Sequence, residues 1–270
     1  MPQPTEDFST SVSPDENVLH CGTANDSTTP RDKVGAVGTE IAVSFNRDRT
    51  QGVCMRQQQE QSVTISSEAI SLSGFLSIPS KPKGVVLFAH GSGSGRLSPR
   101  NRFVAQHLQQ GAIATLLIDL LMREEEEDRR NVFDIELLAD RLLLASAWLR
   151  ANARTGQLAL GYFGASTGAG AALQAAARAP FRIGAIVSRG GRPDLAERDL
   201  PTVTAPTLLL VGSEDYPVIE MNQQAYQLLR CPKRLAIIPG ATHLFEEPGT
   251  LEEVAEQARQ WFQEHFALGA

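Results

Sequence analysis

The chain has 270 residues, 42% hydrophobic and 21% charged, an ordinary globular balance that fits one large α/β domain or two small ones and is ample for a single well-buried core. A formal charge of −6 argues against nucleic acid as the main partner, because phosphate backbones attract basic faces. No apolar run approaches the ~20 residues of a membrane span. The opening MPQPTEDFST has neither the basic-then-apolar pattern of a secretory signal nor the acid-poor make-up of a transit peptide. Cys21, Cys54 and Cys231 lie too far apart for a disulfide framework or a metal cluster. The expectation is a soluble cytoplasmic protein that needs neither metal nor cofactor.

Residues 1–60 are rich in Ser, Thr, Asp, Asn and Gln, and are expected to form a weakly ordered tail. A weak alternation at 36–45 allows one stray strand. Met55 marks an alternative start for the organised part, and the domain is placed at 61–270. From residue 62 the pattern becomes regular. Ser62–Ser66 and Ile70–Ile78 alternate like a half-exposed antiparallel pair. Apolar runs then follow at Val85–Ala89, Ile113–Ile118, Leu158–Phe163, Ile183–Val187, Thr207–Val211 and Leu235–Ile238, as strands covered on both faces require.

Helical patterns fall between these runs. Ser98-Pro99 caps and opens a helix to about Gln110. Ile135, Leu138, Leu142, Ala145 and Leu149 share one face of the next, and Ser166 to Arg178 is Ala-rich. Residues 217–230 form another. Thr250 and Glu253 read as a capping box for the last, with Val254, Ala258, Trp261 and Phe262 turned inward. Strands alternating with helices predict an α/β fold, a mostly parallel sheet with helices on both faces.

Gly164-Ala165-Ser166-Thr167-Gly168 matches G-x-S-x-G. It follows an apolar strand and opens a helix, the strand–turn–helix setting of a nucleophile elbow. A sharp turn there strains the serine backbone, and small neighbours relieve the crowding. Such a serine projects at a helix N-terminus, where the dipole favours developing negative charge. The bland alternative is a Gly/Ser turn whose serine only caps a helix.

In α/β-hydrolase order the acid and then the histidine follow the serine. Asp215 comes just after the run Thr207–Val211, and His243 just after Leu235–Ile238. Both fall where strand C-termini gather. Glu214 rivals Asp215. A serine hydroxyl is a poor nucleophile until a base takes its proton. Histidine is the side chain suited to that near neutrality, with a carboxylate fixing its tautomer. His107 and His265 read as helix packing or surface residues.

His90-Gly91-Ser92-Gly93-Ser94-Gly95 follows an early strand. Arg96 stands where a phosphate-binding glycine motif, started at Gly91, needs its last glycine, so nucleotide binding is not expected. The loop suits an oxyanion hole instead, with the amides of Ser92 and Thr167 as donors. His90 reads as a brace for this loop.

The run His90-Gly-Ser-Gly-Ser-Gly-Arg-Leu-Ser-Pro-Arg-Asn-Arg102 and the run Ser188-Arg-Gly-Gly-Arg-Pro-Asp-Leu-Ala196 resemble a branch of the dienelactone-hydrolase-like α/β hydrolases, over about residues 62–267. The resemblance implies the α/β-hydrolase fold, the triad and a single-domain enzyme acting on a small-molecule substrate. Some proteins of the branch are fused to a phosphoribosyltransferase domain, for which the first 60 residues leave no room. One departure stands out. Dienelactone hydrolases use a cysteine nucleophile, and this elbow carries Ser166. An ordinary ester, thioester or lactone is therefore the expected substrate.

The short connection between the runs ending at Val187 and starting at Thr207 leaves no room for a large cap. Arg189, Arg192 and Asp194 sit in it. Arg189, Arg192 and Arg100 are candidates for gripping a substrate carboxylate, and an Arg–Asp brace is the competing reading. Arg123–Arg130, rich in glutamate, reads as a solvated loop or helix start. Competing functions are a catalytically inactive scaffold of the same fold, and a peptidase or acyltransferase with the same triad.

Overall fold

The computed structural model describes residues 60–67 and 69–267. The expected tail, the alternation at 36–45 and the start at Met55 lie outside these residues.

A hairpin comes first. β1 (Gln61–Ser67) and β2 (Ile70–Ser77) pair antiparallel, with Ile65 opposite Leu72. Six further strands follow: β3 (Val85–Ala89), β4 (Ala114–Ile118), β5 (Leu160–Ala165), β6 (Ala185–Arg189), β7 (Thr207–Gly212) and β8 (Lys233–Ile238). The sheet order is β1-β2-β4-β3-β5-β6-β7-β8. Every pairing from β4 to β8 is parallel, so the C-terminal ends of these strands share one rim.

Alternate side chains of one strand feed two different cores. Along β3, Val85, Leu87 and Ala89 join the cluster under α4 (Ile135–Ala151) and α5 (Thr167–Arg178). Val86 and Phe88 join the cluster under α1 (Pro99–Gln110) and α7 (Thr250–Ala267). This period-2 division explains why the central strands are apolar throughout. Tyr162 sends its hydroxyl to Ser146 Oγ of α4 at 2.7 Å, and burial pushes the phenol up to about 12. The phenol therefore stays a neutral partner that ties helix to sheet.

Three expectations need correction. β5 begins and ends two residues later than the apolar run, because the pairing with β3 and β6 continues through Gly164 and Ala165 right up to the elbow. β8 is an edge strand and only partly buried, with Ile237 41% exposed. The capping box is absent. Thr250 is already the first residue of α7 and its hydroxyl donates to Glu247 O at 2.7 Å, while Glu253 accepts from Gln257 one turn on. The inward face of α7 (Val254, Ala258, Trp261 and Phe262) is buried. The glutamate-rich stretch folds as two single turns, α2 (Arg123–Glu126) and α3 (Arg129–Val132), with Glu125 held by Arg141 at 2.5 Å. The remaining helix, α6 (Tyr216–Leu228), lies between β7 and β8.

Candidate active site

Ser166 stands between β5 and α5 with φ 50° and ψ −124°, a left-handed value that serine adopts only under constraint. The constraint is visible on both sides. A methyl group on Gly164 would meet Ala169 Cα at 2.5 Å, and one on Gly168 would meet Ala89 O at 2.3 Å. Only glycine lets α5 fold back this tightly. Backbone bonds finish the clamp: Ser166 N–H donates to Arg189 O, and Ser166 O accepts from both Arg192 N–H and Ala169 N–H at 3.0 Å. The side chain makes no capping bond, so its hydroxyl is not committed to the helix. Gly91 lies against it, since a Cβ there would come within 3.7 Å of Ser166 Oγ.

Asp215 and His243 are brought together at the same rim. Asp215 Oδ2 and His243 Nδ1 are 2.6 Å apart, with the aspartate side chain 11% exposed and the imidazole 40% exposed. Glu214 points elsewhere, accepting from Ser213 Oγ and Tyr216 Oη. The two adjacent carboxylates thus diverge, and Asp215 is the one that meets the histidine. His243 also abuts the β6 end: a Cβ on Gly190 would lie 3.5 Å from Nδ1. Among the described residues no hydrogen bond joins the imidazole to Ser166 Oγ, a looseness common before substrate arrives.

The turn carrying His243 is braced by a residue that the sequence reading missed. Glu247 accepts from Thr242 N–H at 3.1 Å and from Thr242 Oγ1 at 2.6 Å. These bonds hold its carboxyl below the usual range. Phe245, buried with φ 55°, anchors the far side of the turn.

On the other flank the glycine loop leaves β3. His90 is a brace: Nε2 accepts from Leu120 N–H at 2.9 Å, which leaves the proton on Nδ1 to donate to Gly91 O at 3.0 Å. Burial holds its pKa below the ordinary histidine value. Ser92 N–H does not open onto empty space but donates to Thr167 Oγ1 at 3.0 Å. A cavity of about 710 Å³ runs from this loop and Thr167 to Leu121, Val132 and Leu138, within the range of small-molecule sites.

The three arginines part ways. Arg192 is spent on Asp194, with Nε and Nη2 on the two carboxylate oxygens at 2.9 and 2.7 Å. Arg100 lines the cavity and pairs with Glu246 at 3.0 Å. Arg189 is 8% exposed, and its Nε and Nη1 have no partner among the described residues. Burial, with the like charge of Arg100 adding to it, pulls its pKa down to about 10, so it stays charged at neutral pH.

Comparison with known proteins fits this geometry. Residues 72–268 match the model of a family described as the dienelactone hydrolase family. A dienelactone hydrolase from Anabaena variabilis, solved as a crystal structure, is 58% identical and superposes with a TM-score of 0.76, covering 77% of this chain and 99% of that one. Est1E from Butyrivibrio proteoclasticus, at 17% identity and a TM-score of 0.66, shares the fold over 76% of this chain and 99% of its own. Provisionally named phosphoribosyl transferases from two strains of Mycobacterium tuberculosis are 54% identical over 207 residues. That match takes in 77% of this chain but 47% of theirs, so the chain spans about half the length of the curated relatives it matches.

Proposed function

The chain belongs to the dienelactone hydrolase family, and on that premise we propose that it is a serine hydrolase of ester-like small molecules, working through an acyl-enzyme. The observation that carries this reading is the 2.6 Å contact of Asp215 with His243 at the rim where the strained Ser166 projects. In this reading His243 Nε2 takes the hydroxyl proton as Ser166 Oγ attacks the carbonyl carbon. Asp215 stays ionised, accepts the hydrogen bond from Nδ1–H and stabilises the imidazolium. The Thr167 N–H, first in α5 and without an intrahelical acceptor, faces the developing oxyanion. The alcohol or thiol leaves with the proton from His243, and water repeats the sequence to free the acid.

The arginines support a preference within that class. A buried guanidinium without a counter-charge is costly, and a substrate carboxylate delivered beside Arg189 offsets the cost. We assign acidic esters to this site, with Arg189 at the end of β6 as the recognising group; the cavity beside it is lined by Arg100 and not by Arg189.

A fluorophosphonate probe tests the nucleophile. We expect Ser166 to carry the label, and Ser166→Ala to lose turnover while keeping its melting temperature. A folded wild type whose Ser166 never labels sinks the reading. For the acidic preference, Arg189→Met should raise KM for an ester bearing a free carboxylate and leave its neutral analogue unchanged. Equal losses on both substrates would remove Arg189 from recognition.

A further inference from the structure

Two donors are usually required at an oxyanion, and one of the two amides in this site is already occupied. The Ser92 N–H donates to Thr167 Oγ1 at 3.0 Å across a sequence gap of 75 residues. A hydroxyl has one proton to give and two lone pairs to accept with. Thr167 Oγ1 uses one lone pair on Ser92, and its own proton meets no protein acceptor among the described residues. The side chain is not adrift in solvent, for Thr167 is 3% exposed and what remains open lines the cavity beside the nucleophile.

This inference rests on the acyl-transfer reading: we propose that the Thr167 hydroxyl is itself an oxyanion donor, held from behind by the Ser92 amide and acting beside the Thr167 backbone N–H. One residue then supplies two donors to the same oxygen. The Ser92 bond fixes the rotamer of a β-branched side chain that is already stiff at χ1. It also polarises the O–H, because a hydroxyl that accepts a hydrogen bond donates a stronger one. A donor fixed before the reaction needs no reorganisation as charge appears. The proton count is unchanged. When Ser166 Oγ bonds to the carbonyl carbon, the π pair moves to oxygen and the serine proton goes to His243. Thr167 keeps its own proton throughout and only shortens a hydrogen bond. On collapse the pair returns to the carbonyl, and the leaving group takes the proton from His243.

The opposite arrangement is a plug, in which the hydroxyl sits in the oxyanion's place and must rotate away to free the Ser92 amide. Thr167→Val separates the two by sign. As an oxyanion donor, its loss lowers kcat about 10²-fold with little change in KM, the lower end of what removing one such donor costs. As a plug, its loss leaves kcat equal or higher. Turnover of p-nitrophenyl butyrate provides the measurement, with Thr167→Ser expected to recover most of the rate. Affinity for phenylboronic acid, which mimics the tetrahedral state on serine, should fall in parallel with kcat/KM. A slower valine variant with unchanged boronic acid affinity assigns Thr167 a structural part and overturns the proposal. If the valine variant does not fold, Thr167→Ala answers the same question. Fluorophosphonate labelling of the wild type keeps the two claims apart. Absent labelling ends the acyl-transfer reading itself, whereas a labelled wild type with an equally fast valine variant ends only the role of Thr167.

Discussion

The nucleophile elbow and the histidine turn deliver side chains to one rim by opposite means. The elbow is held by backbone. Ser166 sits at a left-handed φ, Gly164 and Gly168 make contacts that no larger residue tolerates, and three main-chain bonds close around the serine. The histidine turn is held by side chains. Asp215 grips the imidazole, Glu247 grips Thr242, and the imidazole remains 40% exposed. The difference teaches where precision is stored. On the proposed acyl-transfer reading, the attacking atom is preset by the fold, while the base is steered by hydrogen bonds that can adjust as the substrate enters.

The sharpest break in that comparison is Asp215→Asn. Its loss leaves the imidazole in the wrong tautomer, so kcat should fall about 10⁴-fold, as loss of the triad acid does elsewhere. Thermal unfolding should hardly move, because the turn keeps its other bonds. The elbow should behave in reverse. Gly168→Ala drives a methyl into Ala89 O and should cost about 3 kcal/mol of stability, read from denaturant midpoints. If the alanine variant kept full stability, the backbone clamp would be far softer than described.

Glu247→Gln sharpens the contrast more gently. Weakening the brace on Thr242 should lower kcat severalfold with melting unaltered, and a wild-type kcat would make the brace irrelevant. The smallest effect concerns α7, which follows the turn. Arg259, then His107 and Gln260, hold the Glu256 carboxyl down to about 2, from 4.5 for an unperturbed glutamate. A carboxyl with a lowered folded pKa adds stability that is complete above the unfolded value. That stability is lost as pH falls through the folded one. Melting temperature should therefore decline between pH 4.5 and about 2 less steeply in Glu256→Gln than in wild type. Identical slopes would show that the pair contributes nothing.

Much of this fold was legible because its signals are local. The run Val85–Ala89 matches β3 residue for residue, and Ser98-Pro99 opens α1 as expected, with Ser98 Oγ accepting from Asn101 N–H. The order serine, acid, histidine also pointed to the rim. Three features were not legible. The Ser92–Thr167 bond joins the glycine loop to the first residue of α5 through a side-chain rotamer that no spacing encodes. Which of Arg189 and Arg192 meets a carboxylate depends on where Asp194 points once the loop has folded. Thr250 and Glu253 have the right spacing for a cap, yet the helix starts one residue earlier than a cap allows, because Gly249, at φ 83°, makes the turn instead.

The connection Gly190–Pro206 holds two short 3-10 turns, Pro193–Ala196 and Leu200–Thr202, and among the described residues raises no helix over the elbow. An acyl group carried on Ser166 would stand on a wet ledge rather than in a sealed chamber. Bulk solvent then outcompetes any dilute alcohol for it, so the partition runs to the free acid. Transesterification should stay a minor product even when alcohol is added, because nothing among the described residues over the ledge retains a second nucleophile.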